Sequence, residues 1–199
     1  MSEPKQLRSI LVYCGASMGK NPIYKETAKA FGHLLAAKNI GLVYGGGSIG
    51  LMGVIADAVL EKGGKVIGVI PAFLNTAEVG HSRLTELQLV ETMHERKALM
   101  LSHCDAVVAL PGGFGTLDEL FEALTWSQLG LHHKPIGLLN VNGYFDKLLS
   151  LCDAMRAEEF LQRKTLDLLL HDTNAEKLIA RLDAHFTMLA DDESRLKLG

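Results

Sequence analysis

The chain has 199 residues, 48% of them hydrophobic, which is enough for one compact α/β domain with a sizeable core. Its net charge is −3 at pH 7, so no electrostatic argument supports binding to nucleic acid. No apolar run has the length of a membrane span or a signal peptide, and the three cysteines lack metal-ligand spacing, as suits a reducing compartment. We therefore expect a cytoplasmic protein without a membrane or nucleic-acid partner.

Short apolar runs alternate with amphipathic segments along the chain, as strands and helices do in parallel sheets. The predicted strands are, in chain order, Ser9–Cys14, Ile40–Tyr44, Lys65–Ile70, Leu84–Val90, Ala106–Leu110, Pro135–Leu139 and Leu168–His171. The predicted helices are Pro22–Lys38, a helix ending near Glu61, Thr92–His103, one after the turn PGGFGT, one from about Tyr144 to Arg156, and one from about Asn174 with a capping box of Thr173 and Glu176. This order predicts a single α/β domain, a parallel sheet with helices on both faces, with a core at about residues 9–156 and a helical C-terminal tail.

A glycine-rich turn, PGGFGT, follows the predicted strand Ala106–Leu110 and precedes an amphipathic helix. Glycines tolerate positive φ and let a ligand approach the backbone closely. The helix start at Thr116 presents unpaired N–H groups and the positive end of the helix dipole, so the segment predicts an anion site. Asp118 and Glu119 fall in the expected first turn of this helix, which suggests chemistry on a phosphorylated ligand.

Two interpretations of Glu119 are open at this point. The pattern Thr116-x-x-Glu119 is itself a capping box, in which the glutamate only satisfies backbone N–H groups. Alternatively, Glu119 is a functional carboxylate beside the anion site.

Arg96 and Lys97 lie near the start of the predicted helix Thr92–His103, where the helix dipole disfavours cations. A solvated position on the helix surface would explain Lys97. For Arg96 we favour a ligand role, because a planar guanidinium suits phosphate or carboxylate.

Glycine turns also follow the first and second predicted strands, and the carboxyl ends of parallel strands meet at one edge of a sheet. The second turn contains Gly45-x-Gly47-x-x-Gly50, which matches a dinucleotide-binding pattern. No acidic residue ends the third strand to bind a ribose, so this match alone is weak. We expect the ligand site at this edge of the sheet.

Six segments, in this order, resemble the Lonely Guy family: YCGASMG, YGGGSIGLMG, VIGVIP, MHERKALM, PGGFGTLDEL and TWSQLGLHHKPIGLLN. The resemblance runs from about Ile10 to Leu149, and the pattern PGGxGTxxE is specific when an arginine–lysine pair precedes it. The family consists of cytokinin riboside 5′-monophosphate phosphoribohydrolases, often mislabelled as lysine decarboxylases. The resemblance implies a Rossmann-like homodimer that hydrolyses the N-glycosidic bond of an adenosine monophosphate to the base and ribose 5-phosphate. The chemistry of this hydrolysis requires neither a metal nor an organic cofactor.

The resemblance also implies roles for particular residues. Arg96 and Glu119 match the proposed catalytic pair of the family. The residues assigned to substrate binding are Ser17, Gly46, Glu78, Lys97, Gly112, Gly113, Phe114, Gly115, Thr116, Leu117, Asp118 and Thr125. Glu78 lies in a variable loop, and Asp118 stands where a second glutamate is common.

Two alternatives come from other classes of protein. A non-catalytic carrier of a nucleotide-like cofactor, such as the molybdenum cofactor, could use the same scaffold, but a carrier has no use for a positioned carboxylate like Glu119. A decarboxylase would need a lysine for pyridoxal phosphate, and no lysine here has a context that singles it out. The preferred base, adenine or N6-prenylated adenine, stays open, as does the acid that protonates the departing base.

Overall fold

Within the described residues, 6–75 and 80–196 of a computed structural model, seven strands form one parallel sheet. They are β1 (Ser9–Tyr13), β2 (Gly41–Tyr44), β3 (Val66–Pro71), β4 (Glu86–Val90), β5 (Ala106–Ala109), β6 (Ile136–Leu139) and β7 (Leu169–Asp172). Their spatial order is β4-β3-β2-β1-β5-β6-β7, and every neighbouring pair is parallel. All the predicted strands are therefore confirmed, with bounds that shift by at most two residues.

The helices are α1 (Pro22–Ala37), α2 (Gly50–Glu61), α3 (Met93–Ser102), α4 (Phe114–Gln128), α5 (Asp146–Ala157), α6 (Arg163–Leu166) and α7 (Ala175–Leu196). As predicted, α1 begins at Asn21 and Pro22, and the Asn21 side chain accepts a hydrogen bond from the N–H of Ile23. A capping box of Thr92 and Glu95 begins α3. Across the described ranges, no helix is long and apolar enough to cross a membrane.

The start of α7 differs from the prediction. Asn174 is the residue whose side chain accepts a hydrogen bond from the N–H of Lys177, at 3.0 Å. The predicted capping box of Thr173 and Glu176 is therefore wrong. The Asp172 carboxylate accepts a hydrogen bond from the N–H of Asn174 at 2.8 Å, so Asn174 is held at the position just before the helix, which begins at Ala175.

The sheet is covered on both faces, as predicted. Side chains alternate along β1, with Ile10 and Val12 on one face and Leu11 and Tyr13 on the other. The first face packs against α1, α2 and α7. The second packs against α3, α4 and the start of α5.

Tyr44, at the end of β2, carries an unpaired polar group into the core. Its side chain is completely buried, and its hydroxyl has no hydrogen-bond partner in the part of the chain that the structure describes. Burial raises the pKa of this hydroxyl above its ordinary value, so it stays neutral. Removing it would break no described hydrogen bond.

The strand order reverses at β1, which pairs with β2 on one side and with β5 on the other. The chain leaves β1 and β5 toward opposite halves of the sheet, and the two connections touch where the N–H of Gly15 donates to the carbonyl of Pro111 at 3.1 Å. Open α/β sheets bind ligands in the crevice at such a switch point, beyond the carboxyl ends of the strands.

Candidate active site

A cleft of about 470 Å³ opens at this switch point. Its walls are the loop after β1, the turn after β5, the first residues of α2, and the side chains of Tyr24 and Tyr144. Arg96 from α3 and Glu119 from α4 also line it. The edge of the sheet that the sequence predicted for the ligand is therefore the edge that carries the cleft.

The turn after β5 contains two kinds of glycine. Gly112 is tightly packed, since a β-carbon there would clash with Thr116. Gly113 and Gly115 face open space, because a β-carbon on either would meet no described atom within 4 Å. None of the three has the positive φ that the sequence allowed. Open space beside the backbone, rather than a positive φ, is therefore what distinguishes positions 113 and 115.

The helix after this turn begins earlier than predicted. It starts at Phe114 rather than Thr116, its N-cap is Gly113, and no side chain within the described ranges caps it. The N–H groups of its first turn are available to an anion. Asp118 and Glu119 consequently lie in the second turn, and their predicted place in the first turn is wrong.

Glu119 does not cap the helix. Thr116 is buried within α4, so the pattern Thr116-x-x-Glu119 does not mark the start of this helix. The Glu119 side chain is only 13% exposed, and its Oε1 lies 3.8 Å from Nη1 of Arg96. The capping interpretation is wrong, and the position agrees with a carboxylate that serves the cleft.

Arg96 is fixed by the ends of two neighbouring strands. Its Nε donates to the carbonyl of Val69 in β3 at 3.1 Å, and its Nη2 donates to the carbonyl of Gly45 after β2 at 2.9 Å. In these two bonds, Nε and Nη2 of the guanidinium donate to the backbone, while Nη1 lies near Glu119. The sheet itself thus sets where this charge lies in the cleft.

Gly45 makes this arrangement possible, although it was not among the predicted site residues. A β-carbon on Gly45 would clash with Nη2 of Arg96. Gly46, which was predicted, does not line the cleft. It has a φ of +72°, and a β-carbon on it would lie 3.1 Å from that of Ile70.

Burial raises the pKa of Glu119 to about 7, although the Arg96 guanidinium opposes the shift. The nearby carboxylates of Asp118 and Glu122 add to the rise. A carboxyl group with this pKa is present in both protonation states near neutral pH, so it can accept or donate a proton there. A pKa shifted this far, inside a cleft, is typical of functional sites.

Lys97 lies beside the cleft rather than in its lining. Its Nζ is 2.8 Å from Oε2 of Glu122 and 3.2 Å from Oδ2 of Asp118. Burial alone would lower the pKa of Lys97, but the two carboxylates outweigh it and the pKa is raised. Lys97 therefore ties α3 to α4, and its contact with a ligand stays a prediction.

The other predicted substrate residues fall into three groups. Those that line the cleft are Ser17, Gly112, Gly113, Gly115 and Thr116. Those outside its lining are Phe114, Leu117, Asp118 and Thr125. Phe114 is 94% exposed, and the Thr125 hydroxyl donates to the carbonyl of Phe121 at 2.7 Å. Glu78 lies outside the described residues.

Several apolar and aromatic residues of the cleft were not predicted: Cys14, Met18, Tyr24, Leu51, Met52 and Tyr144. They come from separate segments of the chain, and no local pattern marks them. For Tyr144 a signal did exist. It follows β6 closely, and the residues that follow parallel strands lie at the ligand edge of the sheet.

The chain is similar to known proteins over most of its length. Residues 52–182 match the family model described as possible lysine decarboxylase. Two cytokinin riboside 5′-monophosphate phosphoribohydrolases of Arabidopsis thaliana are 45% and 47% identical to the chain over 183 and 176 residues. These matches cover 92% and 88% of the chain, and 85% and 82% of the relatives.

Solved structures with a similar fold include the molybdenum cofactor carrier protein of Chlamydomonas reinhardtii, with a TM-score of 0.68 and 21% identity. The molybdenum cofactor binding protein of Rippkaea orientalis has a TM-score of 0.67 and 24% identity. The two matches cover 89% and 88% of this chain, and 96% and 95% of those chains. At such identities the likeness establishes the fold alone.

Sheet order, crossovers and a cleft at the switch point define a protein of the Rossmann-like α/β class. Within that class, the family model and the similarity to the plant enzymes over most of the chain narrow the assignment. The chain belongs to the Lonely Guy family.

Proposed function

We propose that the protein hydrolyses the N-glycosidic bond of adenosine 5′-monophosphate, or of an N6-prenylated riboside 5′-monophosphate, and releases the base and ribose 5-phosphate. The observation that carries this proposal is the pairing of Glu119, whose side chain is 13% exposed, with Arg96 beside the uncapped start of α4. The relatives are named for the same reaction on cytokinin riboside 5′-monophosphates. The molybdenum cofactor carriers share only the fold, so a carrier function has no comparable support.

The glycine turn would bind the 5′-phosphate. The open space at Gly113 and Gly115 lets phosphate oxygens approach the backbone, and the first turn of α4 supplies N–H donors with the positive end of the helix dipole. The phosphate does not react. Its binding holds the ribose at a defined distance from Glu119, and such remote binding can accelerate the chemical step.

Glu119 would act on the bond between the base and C1′ of the ribose. As this bond breaks, its electron pair leaves with the base and positive charge develops on the ribose. An ionised Glu119 stabilises that charge, or accepts a proton from the water that adds to C1′, and the departing base takes up one proton, so that one water is consumed overall. Arg96, fixed by Val69 and Gly45, keeps Glu119 in place and favours its ionised form.

The direct test is to incubate the purified protein with adenosine 5′-monophosphate and with its N6-prenylated form, and to measure free base and ribose 5-phosphate. We expect both products in equal amounts from at least one substrate. Intact substrate in both reactions would contradict the proposal. Release of base without ribose 5-phosphate would contradict simple hydrolysis.

Gly45→Ala should reduce this activity strongly while the protein remains folded. The added methyl group would displace the guanidinium of Arg96, and a misplacement of about 1 Å near a reacting centre can cost ~100-fold in rate. The measurement is kcat/KM for adenosine monophosphate. Gly41→Ala is the matched control, because a β-carbon at Gly41 meets its nearest neighbour at an ordinary 3.5 Å. Equal activity of the two variants would show that the position of Arg96 is unimportant.

We also propose a cytoplasmic, two-fold symmetric homodimer whose interface lies near the cleft. The support is apolar surface on α4, where Leu117, Phe121 and Leu124 are only partly buried and Phe114 is 94% exposed. Free, buried cysteines agree with a reducing compartment.

Sedimentation at micromolar concentration should therefore give a dimer. Phe114→Asp should weaken it, because a charge would enter the apolar interface. Phe160→Asp is the control, since Phe160 is also highly exposed, at 82%, but follows α5. A monomeric unmodified protein would contradict the proposal.

A further inference from the structure

Tyr144 reaches the anion-binding turn from a different part of the chain. Its hydroxyl donates to the carbonyl of Gly112 at 2.5 Å, and its side chain lines the cleft. No sequence pattern and no step proposed above gives this residue a role. We infer that Tyr144 is a positioning residue, which holds the Gly112–Gly113 peptide so that the N–H of Gly113 is directed to the phosphate.

The segment that carries Tyr144 is built to present it. Asn140, at the end of β6, is buried, and its Oδ1 accepts from the N–H of Phe145 at 2.8 Å while its Nδ2 donates to Asp146 at 2.7 Å. Between them, Asn142 and Gly143 adopt φ values of +51° and +67°. Hydrogen bonds of the Asn140 side chain therefore hold the two ends of this turn together.

The Tyr144 ring is held independently of its hydroxyl. It meets the ring of Tyr24 edge to face at 5.7 Å and the ring of Phe145 at 5.1 Å. Such contacts stabilise aromatic pairs without involving the hydroxyl. Replacing Tyr144 by phenylalanine should keep the ring in place and remove only the bond to Gly112.

That bond acts on the phosphate site through one peptide unit. The carbonyl of Gly112 and the N–H of Gly113 belong to the same planar trans peptide and point in opposite directions, so holding the carbonyl orients the N–H. A hydrogen bond accepted by the carbonyl also polarises the peptide and strengthens its N–H as a donor. Among the described residues, the N–H of Gly113 meets no acceptor, and it is available to the ligand.

The inference rests on the proposed function, and a binding experiment separates the two. Calorimetry measures the affinity of the unmodified protein, Tyr144→Phe and Tyr44→Phe for ribose 5-phosphate. Loss of one neutral hydrogen bond should weaken binding by Tyr144→Phe about fivefold. Tyr44→Phe is the matched control, because the Tyr44 hydroxyl has no described partner and does not line the cleft, and its affinity should be unchanged.

Adenine serves as a second probe, since it carries no phosphate. Tyr144→Phe and the unmodified protein should bind adenine with the same affinity. If the substitution damaged the whole cleft, the affinity for both adenine and ribose 5-phosphate would fall. In addition, the amide resonance of Gly113 should shift in ligand-free Tyr144→Phe. Equal affinities for ribose 5-phosphate, or an unshifted Gly113 resonance, would overturn the inference alone. Failure of the unmodified protein to bind ribose 5-phosphate would overturn the proposed phosphate site and this inference together.

Discussion

Glu119→Gln should lose at least ~100-fold in turnover of adenosine monophosphate, the scale on which one preorganised electrostatic group acts. Glutamine preserves the size of the side chain and places a polar oxygen near Arg96. It cannot become an anion, so it neither stabilises positive charge on the ribose nor accepts a proton from water. The measurement is kcat from the release of adenine, with circular dichroism to verify the fold.

Glu122→Gln is the matched control for this experiment, because Glu122 lies one turn further along α4. Its carboxylate pairs with Lys97 at 2.8 Å and does not line the cleft. We expect Glu122→Gln to retain activity within a few fold, about the effect of one partly exposed ion pair. Near-normal turnover of Glu119→Gln would remove the carboxylate from the mechanism.

Glu119→Gln should also change how the free energy of unfolding depends on pH. The folded-state pKa of Glu119, about 7, is above its ordinary value of 4.5, so the folded protein holds a proton that the unfolded chain releases between these values. The contribution of Glu119 to stability is complete below pH 4.5 and is lost as the pH rises through 7, by about 3 kcal/mol at most. Glutamine resembles the protonated, neutral form of Glu119 at every pH. The variant should therefore not lose this stability as the pH rises.

Urea unfolding of both proteins at pH 5 and pH 8 tests this consequence. Glu119→Gln should be the more stable protein at pH 8, and the difference should shrink toward pH 5. Other titratable groups contribute equally to the pH dependence of both proteins, so their contributions cancel in the difference. A variant that is less stable at pH 8 would show that the ionised carboxylate stabilises the fold through Arg96.

The fold could be predicted from the sequence because its strands are short, continuous apolar runs separated by single helices. Parallel strands buried on both faces produce this pattern, and all of them were found within two residues. The starts of helices were predicted less well. Thr116 and Thr173 each begin a capping-box pattern, but the residues that precede the first turns of the real helices are Gly113 and Asn174.

The site was predicted in part, for a physical reason. Glu119 and Arg96 belong to local segments whose residue types point to chemistry, and the structure brings them together. Gly45 and Tyr144 contact residues far away in the sequence, Arg96 and Gly112. Such contacts depend on the order of strands in the sheet, which no single segment contains.

Adenosine monophosphate should be cleaved while adenosine is essentially inert. The phosphate would accept several charge-assisted hydrogen bonds from the glycine turn and the start of α4, each stronger than a neutral bond. Without the phosphate, these donors return to water and the ribose is free to move away from Glu119. A displacement of about 1 Å can by itself cost ~100-fold. For adenosine, we therefore expect a lower kcat as well as a higher KM.

Two variants test whether the phosphate is the cause. Gly113→Ala should keep the fold, because its β-carbon meets no described atom within 4 Å and its φ is ordinary, but the methyl group occupies the space left for the phosphate. Arg96→Ala removes the charge that holds Glu119. Each variant should lower kcat/KM for adenosine monophosphate more than kcat/KM for adenosine. The ratio of the two values should therefore decrease. Comparable kcat/KM values for adenosine monophosphate and adenosine in the unmodified protein would contradict the phosphate site. They would show that the 5′-phosphate contributes nothing to the reaction.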